Sequence, residues 1–74
     1  MYQEGYWAGR SIAENIEKTI YKDIKTAIGV KSEVVKNFED KFKYNRNMEE
    51  FDTNYSYNAG ILDYLIEYSE ENES

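Results

Sequence analysis

Isoleucine recurs at every fourth position through Ile12, Ile16, Ile20, Ile24 and Ile28. That spacing points to an α-helix with one continuous apolar stripe, because a half-buried strand would alternate with a period of two. Ala13 and Ala27 widen the stripe, while Lys18, Lys22 and Lys25 gather on the opposite side, with Glu14 one turn before Lys18 in the favourable order. Gly29 stands where a left-handed C′ residue belongs and Val30 where a Schellman-type ending makes its apolar contact. The first helix is therefore expected over residues 3–28.

The rest of the chain follows by the same reasoning. Ser32 reads as the N-cap of a second helix, 32–45, whose Val34, Val35, Phe38 and Phe42 share a face. Asn45, Arg46 and Asn47 break it, and Asn47 with Glu50 has capping-box spacing for a third helix over 48–71. Residues 52–58 leave two readings open, a continuous helix or a polar interruption, since Asp52, Thr53, Asn54, Ser56 and Asn58 are poor helix formers. The acidic tail 70–74 is expected to fray. With no proline to stop a helix, the fold class expected is all-α: a small three-helix bundle, one domain over residues 1–74.

That bundle needs outside support. Seventy-four residues bury only about 60% of their unfolded surface, and the chain has neither cysteine nor histidine to form disulfides or zinc sites. Wrapped on a helix, residues 48–71 spread apolar and aromatic side chains over an arc of about 220°, wider than a bundle needs. The surplus is rich in tyrosine, a residue enriched at interfaces. Tyr57, Ile61, Tyr64 and Tyr68 are therefore expected to form a homo-oligomer interface.

Charge is divided into blocks. Residues 1–17 carry −2, residues 18–46 carry +4, and residues 47–74 carry −8 without a single base. Without His or Cys, nucleophile, base and transition-metal roles would fall on carboxylate, Ser, Tyr or Lys alone, and no arrangement of these completes an active site. The chain is read as a non-enzymatic protein with no cofactor. Its N-terminus lacks the basic start and apolar run of a signal peptide, no stretch reaches spanning length, and missing cysteines suit a reducing compartment. A cytoplasmic protein without membrane contact is expected. Abundant Tyr, Ile, Asn and Lys suit AT-rich coding, as in low-GC bacteria and their phages.

Two local resemblances bear on function. Asp52, Asn54, Ser56, Asn58 and Asp63 fall at positions one, three, five, seven and twelve of a loop that resembles an EF-hand calcium site. Tyr57 replaces the turn glycine and Asp63 the bidentate glutamate, so no metal site is expected. Residues 24–38 resemble a helix-turn-helix, with Gly29 and Val30 at the turn, although Lys25 stands where that pattern packs a small residue. On that alternative, a DNA-binding regulator, Lys31, Lys36, Lys41 and Lys43 would contact phosphates. Gly5, Gly9 and Ala13 place a small residue at every fourth position, which lets another backbone approach closely or, equally, marks a loose lead-in.

In size and charge the chain resembles small phage inhibitors of restriction, repair and CRISPR nucleases. The favoured expectation is an acidic phage or mobile-element protein that occupies the basic surface of a host nucleic-acid-handling or defence protein through Asp52, Asp63, Glu67, Glu70 and Glu71. A small-molecule or nucleotide sequestering oligomer is the remaining alternative.

Overall fold

The structure, a computed structural model, describes residues 1–44 and 49–73, with the side chains of 42–44, 49–52 and 73 excepted. Among the described residues its regular elements are all helical, with no strand: α1 (Tyr2–Glu14), a 3-10 turn (Ile16–Lys18), α2 (Ile24–Tyr44) and α3 (Glu49–Glu73). No helix among them is long and apolar enough to cross a membrane. The Asn45–Asn47 break and the capping box on Asn47 lie outside the described residues.

The isoleucine stripe does not belong to one helix. α1 ends at Glu14, and three short polar side chains hold the chain out of α-helix until Ile24. The Asn15 side chain and backbone N–H both donate to the Ser11 carbonyl, at 3.0 and 3.1 Å. Thr19 Oγ1 donates to the Ile16 carbonyl at 2.7 Å and accepts from the Tyr21 N–H at 3.2 Å, on extended backbone. Asp23 Oδ1 accepts the Thr26 N–H at 2.7 Å, the N-cap bond that starts α2. Such side chains offer the backbone partners other than its own helix, and here they prevail over the apolar period. The consequence falls on Ile20, which is 94% exposed, whereas Ile12, Ile16, Ile24 and Ile28 pack against the core.

The expected break at residue 29 is absent. Gly29 and Ser32 lie inside α2, no described glycine has positive φ, and a Cβ on Gly29 would meet nothing within 4 Å. Gly29→Ala is therefore expected to stabilise the chain by about 0.5–1 kcal/mol, because it removes glycine's helix penalty without a clash. A C′ glycine would show the opposite sign, a fall in melting temperature.

α3 is continuous through 52–58, which decides between the two readings of that stretch. Tertiary contacts outweigh propensity here: Tyr55 donates its hydroxyl to Glu39 at 2.9 Å, and Asn58 accepts from Lys31 Nζ at 3.3 Å while donating to the Asn54 carbonyl at 2.8 Å. The EF-hand-like loop is therefore not formed, and alternate residues of a helix point about 200° apart instead of converging on a cation. The tail expected to fray at 70 stays helical through Glu73, with Asn72 donating to the Tyr68 carbonyl.

α3 is the common partner of the other two helices. α2 runs antiparallel to it, because Lys31 meets Asn58 while Glu39, farther along α2, meets the earlier Tyr55. The core is narrow: Ala13 of α1 and Ala27 of α2 close on Ile61 and Leu65 of α3. Two alanines in that layer bring both helices near the α3 axis.

Candidate interaction surface on the first and third helices

α1 lies parallel to α3 and nearly in backbone contact with it. A Cβ on Gly5 would collide with the Tyr57 carbonyl, and one on Gly60 with the Tyr2 carbonyl and, at 2.7 Å, the Tyr6 nitrogen. On Gly9 it would stand 2.8 Å from the Ile61 carbonyl oxygen. Gly5, Gly9, Ala13 and Gly60 are all buried. The small-residue stripe is thus the close-approach surface, and the loose lead-in is excluded.

This approach sets a ladder of side chains along the seam. Tyr2 donates its hydroxyl to Asp63 Oδ2 at 2.5 Å, and one turn later Tyr6 donates to Glu67 Oε2. The rings continue the row: Tyr2 lies against Tyr6 at 6.4 Å, Tyr6 meets Tyr64 edge-on at 5.0 Å, and Tyr64 lies against Tyr68 at 6.3 Å. Arg10 bonds Glu14 at 2.9 Å on the exposed side of α1. Trp7, two residues from Gly9 and so on the far side of α1, is 58% exposed.

The phenols report this geometry. Tyr6 is pushed up to about 12, chiefly by its bond to Glu67 and then by desolvation, and Tyr2 is raised by its bond to Asp63. A phenol whose folded pKa lies above its ordinary 10.0 contributes stability that is complete below pH 10 and lost as pH rises through its folded value. The melting temperature is expected to fall between pH 10 and about 12, and Tyr2→Phe with Tyr6→Phe should flatten that fall. Ionisation of every tyrosine together near pH 10 in an absorbance titration would show that these bonds are not made.

The residues expected at a homo-oligomer interface are largely used within the chain. Ile61 is 2% exposed in the core, and Tyr64 and Tyr68 pack against the core and each other, leaving Tyr57 at 38%. α1 packs over part of the apolar arc of α3, while Tyr57 and Ile66 stay exposed. Of the expected acidic contacts, Asp63, Glu67, Glu70 and Glu71 are exposed on α3, with Asp63 and Glu67 oriented by α1. The Asp52 and Lys43 side chains lie outside the described residues. Of the described lysines of the DNA-binding alternative, half-buried Lys31 turns to Asn58, and Lys36 and Lys41 follow at steps of about 140° around α2. Lys41 instead borders a shallow groove of about 210 Å³ with Val34, Asn37 and Phe38. The helix-turn-helix itself is missing, since its turn residues are helical.

No family model, curated protein or solved structure compared with the chain matches it.

Proposed function

We propose that the chain is a small, non-enzymatic acidic binding protein, of phage or mobile-element type, that inhibits a nucleic-acid-handling or defence protein by occupying its basic surface. One observation carries this reading. Asp63 and Glu67 stand exposed one turn apart on α3, each held by a tyrosine of α1, in a segment that has eight carboxylates and no base. Asp63, Glu67, Glu70 and Glu71 fall within about 12 Å of helix axis, about one charge per 3–4 Å. The phosphates of one DNA strand have nearly that density, about one per 3.4 Å.

The test uses the full chain as bait in a bacterial lysate. The captured partner should be a nucleic-acid-binding protein, should be displaced by duplex DNA, and should be released as salt shortens the Debye length below about 8 Å. Glu70→Lys with Glu71→Lys leaves both tyrosine–carboxylate bonds in place and should abolish capture at unchanged helicity. Capture by that variant, or tight duplex binding by the unmodified chain, would overturn the reading, and the latter would favour a DNA-binding regulator.

A further inference from the structure

Among the described residues, α1 holds large aromatic side chains in water beside its seam with α3. Trp7 is 58% exposed and Tyr2 47%, and Tyr2 and Tyr6 lead the ring row into α3. A face that served solubility alone would need the carboxylates and not the rings. Aromatic side chains left in water beside acids form a surface for a cation that also has an apolar plane.

We infer that this face docks an arginine-bearing segment of a protein partner, in preference to a lysine-bearing one. This inference rests on the acidic-surface reading above and specifies the chemistry of the partner. A guanidinium is flat and weakly hydrated, so it stacks on tyrosine or tryptophan while its fork of N–H groups meets a carboxylate. An ammonium is a compact hydrated charge that gains little from the rings. A segment crossing from α1 to α3 meets Trp7, then Tyr2 and Tyr6, then Asp63 and Glu67. Each of those carboxylates gives one oxygen to a tyrosine hydroxyl, Oδ2 and Oε2, and among the described residues the second oxygen of each makes no hydrogen bond, as an incoming donor requires. The cation of α1 on this side, Arg10, is bonded to Glu14.

The test titrates the full chain into dye-labelled octa-arginine and octa-lysine peptides and reads anisotropy. Octa-arginine should bind about tenfold more tightly, the scale of a desolvated cation–π contact. Trp7→Ala, a change at an exposed position, should narrow the gap by weakening octa-arginine alone, while circular dichroism stays unchanged and Trp7→Phe restores part of the difference. Equal affinities for the two peptides would overturn this inference and leave the acidic-surface reading standing. Binding of neither would overturn both.

Discussion

Gly60→Val is expected to lift α1 off α3 and to cost about 3 kcal/mol, the upper end of ordinary overpacking, because the added carbons meet backbone and not a side chain that can rotate away. For a domain of this size that is roughly 12–24 °C in melting temperature. The α2–α3 hairpin does not depend on Gly60, so most helicity should survive at low temperature. Tyr6 should return from about 12 toward 10.0, since its bond to Glu67 exists only while α1 is docked. Urea unfolding followed by helicity, with an alkaline titration of the same sample, checks both parts. A Gly60→Val chain of unchanged stability would mean that the two backbones are not in contact.

Leu65→Ala has a different target. Leu65 is fully buried where Ala13 of α1 and Ala27 of α2 converge, so its truncation loosens both helices at once. Large-to-small changes at such sites cost about 2–5 kcal/mol, against a total stability of roughly 4–11 kcal/mol for a chain of this length. The expected result is a chain that is partly unfolded at 37 °C or close to it, with helices undocked together. Gly60→Val should instead undock α1 alone. A loss under about 1 kcal/mol for Leu65→Ala would place the core elsewhere on α3.

Much of the architecture is legible in the sequence, and the parts that are not share one physical cause. Helical structure through Tyr44 and over Glu49–Glu73 follows from periodicity. The start of the second helix does not, because isoleucines four apart look the same on one rod as on two helices and a corner. Asp23, three residues before Thr26 and just ahead of an apolar run, carries the N-cap signal that separates the two. Gly29 shows the same ambiguity in reverse: a glycine after an apolar stripe fits a C′ position, and only the continuation of α2 places it mid-helix.

The candidate surface was half readable. Asp63, Glu67, Glu70 and Glu71 stand out as acids without nearby bases, and Gly5, Gly9 and Ala13 as a close-packing stripe. Their connection is tertiary. Tyr2 and Tyr6 reach partners 61 residues away, and no local pattern announces such a bond. The available signal was a matched spacing, tyrosines four apart on the glycine-bearing helix and carboxylates four apart on its partner. Part of the wide aromatic arc of α3 has an occupant within the chain, α1, whose boundary is hidden in the sequence inside an over-long isoleucine stripe.

The parallel, backbone-close docking of α1 on α3 orients the carboxylates and leaves Trp7 on the far side of α1. Nuclear Overhauser contacts from the glycine α-protons test it most directly in the unmodified chain. Gly5 should show contacts to Tyr57 and Gly60, and Gly9 to Ile61 and Tyr64, rising together along both helices. Contacts from Gly5 to Tyr64 or Tyr68 with Gly9 nearer Tyr57, or none from either glycine to α3, would contradict it.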